Sequence, residues 1–194
     1  MKLAWGISYR GFLHVASLKM RRKSLHWFRD SARALRFRML KFGQMSAEAK
    51  LKELGYALPQ ISAPGGNYLS AKIVGSLVFL AGVISTDESG VMTGTVGLEK
   101  TIEEGYVGAK RCALTQLAVL KQTLGSLDRV KQIVSVNGYV STVSGFPDSP
   151  KVINGASDLL VEIFGESGRH VRAAVGVSAL PRNAMVEVQM TVEI

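Results

Sequence analysis

Residues 169–194 read RHVRAAVGVSALPRNAMVEVQMTVEI, and their two-residue alternation decides the class of fold. Val171, Ala173, Val175 and Val177 share one face of a predicted strand, leaving Arg172, Ala174 and Gly176 on the other. Val186, Val188, Met190, Val192 and Ile194 form the apolar face of a second strand, and Glu187 points away from it beside Met185 and Gln189. Leu180-Pro181 predicts a short turn, so the two strands read as antiparallel neighbours. With residues 178–184 as the turn, Glu187 falls near Val175, three residues from Arg172 and therefore ~10 Å along the strand at roughly 3.3 Å per residue. That is too far for a salt bridge. It leaves room for a small acid held by the cation, with a water at its far end.

Upstream of this pair the pattern is regular. Ser46 is a predicted N-cap for a short helix over 47–54 closed by Gly55, and residues 56–67 form a Pro- and Gly-rich loop. Strands are predicted at 68–74 and 77–84 around a two-residue Gly75-Ser76 turn, followed by a Gly- and Thr-rich loop at 85–97. A long helix is predicted from about Glu99 to Leu124, with Ile102, Tyr106, Ala109, Ala113, Leu117 and Leu120 at three- and four-residue steps. Glu103 and Glu104 sit in its first turn and Gly125 ends it. Residues 130–141 give a strand and 149–164 a second helix capped by Gly165. After the leading helix the order is β-β-α-β-α-β-β, an α+β fold with a mixed sheet covered on one face by two helices.

The net charge of +9 is unevenly distributed. Residues 1–44 hold 11 Lys/Arg and one acid, Asp30, whereas residues 45–194 hold 13 Lys/Arg against 14 Asp/Glu and are nearly neutral. The division predicts a basic extension, 1–44, and one domain, 45–194. The extension reads as a transit peptide with an amphipathic basic helix near 24–42, as sequence preceding a start at Met45, or, ranked last, as an arm for nucleic acid or membrane. The expected compartment is cytoplasmic, or mitochondrial if the first reading holds. Apolar runs such as Leu77–Val83 are far shorter than the roughly 20 residues of a membrane span.

The remaining chemistry-bearing residues have bland readings. Cys112 is the single cysteine, which excludes a disulfide within the chain and a Cys-based zinc cluster, and its Ala- and Leu-rich helix makes it a small buried hydrophobe. Only His170 of the three histidines lies in the body, so no His-rich metal site, other cofactor or Ser-His-Asp arrangement is expected, and His170 itself reads as a surface residue. Arg182 and Asn183 read as solvated turn residues. No glycine cluster fits a phosphate-binding loop.

From about Leu51 to Ile194 the chain resembles the RidA/YjgF family, also called endoribonuclease L-PSP proteins. The resemblance rests on Asn67-Tyr68 before LVFLAGV, on the helix EEGYVGAKRCALTQLAVLKQTLGSLDRV, and on VRAAVGVSALPRNAMVEV. The segment KVINGASDLLVEIFGESGRHVRAAVG is similar to the YjgF-endoribonuclease-like branch. The resemblance implies a chorismate-mutase-like fold, a homotrimer, and a site in the cleft between subunits for a small 2-imino or 2-oxo acid. It implies that Arg172 binds the carboxylate, Glu187 holds or activates a water, and Tyr68 closes the pocket. Gly82 matches the glycine of the family's Ser-Gly-Gln motif, whose serine and glutamine are here Ala81 and Val83. Ala174 stands where many members have cysteine. These departures remove polar groups from the wall. The implied function is hydrolysis of imino or enamine acids without a cofactor; a non-catalytic carboxylate-binding trimer and a ribonuclease are the alternatives. The near-neutral body gives the last no electrostatic support.

Overall fold

The computed structural model describes residues 45–194; the predicted basic helix near 24–42 lies outside the described residues. Helix α1 (Ala47–Glu53) starts at Ser46, whose hydroxyl accepts the Ala49 N–H at 3.2 Å. The hairpin β1 (Ala71–Val74) and β2 (Leu77–Leu80) closes at Gly75-Ser76. Next come three two-residue strands, β3 (Val83–Ile84), β4 (Thr86–Asp87) and β5 (Gly90–Val91). Helix α2 (Ile102–Leu124), β6 (Gln132–Ser141), α3 (Ser149–Phe164), β7 (Val171–Val177) and β8 (Val186–Glu193) complete the body. The main sheet runs β1-β2-β8-β6-β7, with β3 also on β8, and the two helices α2 and α3 cover one of its faces.

The core lies between the helices and that face. Ala109, Cys112, Leu117 and Leu120 of α2 and Val152, Ile153, Ala156 and Leu160 of α3 meet Val78, Val136, Val140, Val188 and Met190 of the sheet, all buried. On the open face Val171 and Val175 remain 71% and 46% exposed. The alternation along both final strands is therefore as expected, but the apolar face of β7 is the one the helices leave bare.

Four expectations need correction. The last two strands are not neighbours: β6 lies between them, parallel to β7 and antiparallel to β8. The physical reason is the β6-α3-β7 crossover, because a helix between two strands brings the second back alongside the first in the same direction. Second, the strand expected at 77–84 breaks at Ala81-Gly82, where the buried Gln116 amide of α2 donates to the carbonyls of Ala81 (2.9 Å) and Val188 (2.7 Å). Those bonds replace ladder bonds that the break removes. Third, the loop at 85–97 contains the β4-β5 hairpin. Fourth, α2 starts at Ile102, not near Glu99. Thr101 forms a capping box, its hydroxyl accepting the Glu104 N–H at 3.1 Å while the Glu104 carboxylate accepts the Thr101 N–H at 2.9 Å. At the other end Gly125, at φ 81°, takes the left-handed conformation that closes the helix.

Candidate functional site

Arg172 stands on the edge strand β7, beside Val136 of β6, which is fully buried. Its side chain therefore lies on the helix-covered face, and it reaches α3. Its Nη1 donates to Asn154 Oδ1 at 2.8 Å and to Ser157 Oγ at 3.0 Å, and its Nη2 to the Pro150 carbonyl at 3.4 Å. Small residues bring the helix this close. A Cβ on Gly138 of β6 would run into the Ile153 side chain, and one on Gly176 would come within 3.4 Å of Ser149 Oγ. Ala174 lies between Arg172 and Gly176 on the same face. Of the five guanidinium N–H groups, three go to α3; one on Nε and one on Nη2 remain for the two oxygens of a carboxylate.

His170 belongs to the same cluster and is not a surface residue. It is half-buried, with Nδ1 2.7 Å from the Gly168 carbonyl and Nε2 3.0 Å from Ser157 Oγ. A carbonyl only accepts, so Nδ1 carries the proton, and in the neutral ring Nε2 accepts from the Ser157 hydroxyl. Burial, reinforced by the Arg172 charge, holds the imidazole below its usual pKa despite the opposing pull of the Gly168 bond. Sequence reasoning missed Asn154 and Ser157. Their signal was present: two polar residues three apart on one face of α3, amid Val, Ile, Gly and Ala.

Glu187 occupies the opposite face. It pairs with Tyr139 of β6 and with Ile84 of β3, in a hollow of about 340 Å³ lined by Gly82, Tyr139, Leu180, Glu187 and Gln189. Burial pushes its carboxyl above the ordinary value. Gly82 lies directly against it, since a Cβ there would overlap the Glu187 carboxylate. The expected level was right, because Glu187 lines up with Tyr139 and Tyr139 with Val175. The expected adjacency was not. Two strand spacings, about 10 Å, separate β7 from β8, a further ~10 Å runs along the strands, and the side chains leave opposite faces.

Tyr68 is 55% exposed, three residues before β1. That strand borders the far side of the sheet, four spacings or about 19 Å from β7. One chain thus brings Gly82 to Glu187 and Ala174 to Arg172, but not the one pair to the other; Tyr68 belongs to the Gly82 side, two residues before Ser70, whose carbonyl accepts the Ala81 N–H at 2.9 Å. Cys112 is fully buried, and burial raises its thiol pKa far above the usual range. Among the described residues no group of three or more His, Cys, Asp or Glu side chains gathers for a metal, and no helix is long and apolar enough to cross a membrane.

Comparison with known proteins gives the following. Residues 48–194 match the family model described as "YjgF/chorismate_mutase-like, putative endoribonuclease". A protein of Trypanosoma cruzi called TCP17 is 43% identical over 148 residues, spanning 75% of this chain and 92% of that one. A crystal structure from Shewanella oneidensis, titled as "a putative endoribonuclease", superposes with TM-score 0.74 at 35% identity, covering 77% of this chain and all of the other. A Dermatophagoides farinae protein named 2-iminobutanoate/2-iminopropanoate deaminase is 28% identical over 138 residues, 70% of this chain and 92% of its own.

Proposed function

Because the chain belongs to the YjgF/chorismate-mutase-like family, we propose that it binds small 2-imino and 2-oxo acids between the subunits of a homotrimer and hydrolyses the imino form. The observation that carries this reading is the division of the candidate site. Arg172 and Ala174 lie at the edge of the helix-covered face, Gly82 and Glu187 on the open face. A pocket using both halves must take them from different copies. The bare apolar side chains of the open face, Phe79, Val171 and Val175 among them, supply a surface for such a copy to cover.

In this reading the two spare N–H groups of Arg172 grip the substrate carboxylate and fix the position of C2. Glu187 of the neighbouring copy accepts a proton from a water. The water oxygen bonds to C2 while the C=N π pair moves to nitrogen, which takes up a proton. Collapse of the resulting carbinolamine breaks the C–N bond and releases ammonia and the 2-oxo acid. A carboxyl pushed up by burial is a better proton acceptor near neutrality than an ordinary one, provided it is ionised. The deaminase name of the mite relative supports the substrate class.

The second reading, carboxylate binding without turnover, is favoured by Ala81, Val83 and Ala174, which supply no hydroxyl, amide or thiol at those three positions. A coupled amino-acid oxidase assay separates the two. Faster release of 2-oxobutanoate from its imine, lost by about two orders of magnitude or more in Arg172→Ala with the native mass unchanged, supports the enzyme. Binding of 2-oxobutanoate with no acceleration selects the second reading. Unchanged turnover in Arg172→Ala removes the assignment.

A further inference from the structure

We propose that His170 and Ser157 are positioning residues for Arg172: together with Asn154 they hold the guanidinium in the orientation that presents its unused N–H edge to a carboxylate. The inference rests on the carboxylate-binding reading above and adds the device that sets the arginine. Arg172 needs one. It sits on an edge strand with an exposed, long side chain, and an arginine in that setting gives up much rotamer freedom when fixed. Without support, binding a ligand would have to supply that ordering.

The support is a directed chain of hydrogen bonds. The Gly168 carbonyl can only accept, which places the imidazole proton on Nδ1 at 2.7 Å. Nε2 is thereby left as an acceptor, and it takes the Ser157 hydroxyl proton across 3.0 Å. With its hydrogen turned to His170, Ser157 presents lone pairs to Arg172 Nη1, also at 3.0 Å. Asn154 Oδ1 accepts the second Nη1 hydrogen at 2.8 Å and the Pro150 carbonyl one from Nη2 at 3.4 Å. The order of donors is thus fixed from a backbone carbonyl outward. Burial favours the neutral ring that this order requires, and Arg172 is the charged group that bears on it. Glu166 and Arg169 of the adjoining turn are exposed and paired with each other at 2.9 Å. No atom of His170 or Ser157 is required to touch the ligand.

The test uses the full-length protein and two readouts. In ¹⁵N NMR the neutral His170 ring is expected as the Nδ1–H tautomer, and Arg172 Nε–H as an ordered side-chain site without ligand. Ser157→Ala and His170→Ala are expected to make Arg172 mobile and to weaken 2-oxobutanoate binding about five- to tenfold, as loss of one ordinary hydrogen bond does. Ser157→Thr, which keeps a hydroxyl, and His170→Gln, which keeps an acceptor without titrating, are expected to restore most of both. Arg172→Ala is the control for the parent reading. If it abolishes binding while Ser157→Ala and His170→Ala bind like the wild type, the positioning role is overturned and the carboxylate site stands. If Arg172→Ala binds like the wild type, the carboxylate site itself fails. An Nε2–H tautomer, or an Arg172 as mobile in the wild type as in Ser157→Ala, overturns the inference whatever the binding data.

Discussion

Gly82 and Glu187 occupy so little shared space that one methyl group separates a working arrangement from a collision. The Glu187 carboxyl is the far end of a flexible side chain, so Gly82→Ala is expected to change stability by less than about 1 kcal/mol. Turnover is expected to fall about tenfold or more, because the carboxylate is displaced from its water. Urea midpoints measured beside imine hydrolysis check both halves. Glu187 also makes a prediction about pH. Its folded pKa lies above the unfolded one, so between the two the native state holds more protons, and stability falls as pH rises through that window. Glu187→Gln is expected to flatten that part of the curve, read as denaturation midpoints from about pH 4 to 8. Activity, needing the ionised form, is expected to rise through the same window. At this scale the sequence was a good guide to residue types and a poor one to partners. Alternation sorted Arg172 and Glu187 off the apolar positions of their strands. It could not say that those two outward sides are opposite faces of one sheet, nor that His170 reaches Ser157, thirteen positions earlier.

The two helices depend on a close approach at Gly155. A Cβ there would strike the backbone carbonyl of Tyr106 on α2, which has no way to yield without moving the helix. Gly155→Ala is expected to destabilise the body by about 2–3 kcal/mol, seen as a lower chemical denaturation midpoint. Thr101→Ala, which breaks the capping box at the exposed start of α2, is expected to cost about 1 kcal/mol and to leave turnover unchanged. Element boundaries were largely legible: α3 spans the residues expected of it, and α2 begins three residues beyond Glu99 because the Thr101-x-x-Glu104 capping box sets its start. Strand order was harder. Leu180-Pro181 looks like a hairpin turn, yet the chain uses 178–185 to pass from β7 across to the far side of β6. Periodicity reports which face a residue occupies and carries no information about which strand lies next to it. The strand-helix-strand order over 132–177 did carry that information, since parallel neighbours need such a connection.

For the whole molecule the near-neutral body and its bare open face point to association through apolar area more than through charge. Val175→Asp, on the edge strand and outside the helix-packed core, is expected to leave the fold intact by circular dichroism and to reduce the native mass of the proposed trimer to that of one chain. The position of β6 between β7 and β8 has one more consequence, and it concerns genetics as much as geometry. If each cleft borrows its cation from one copy and its carboxylate from the next, two dead proteins make a live one. Arg172→Ala and Glu187→Gln subunits, inactive alone, would on random equal mixing regenerate about one intact cleft in four, because every mixed trimer contains a single junction where both wild-type residues meet. A site built within one chain would show no such rescue.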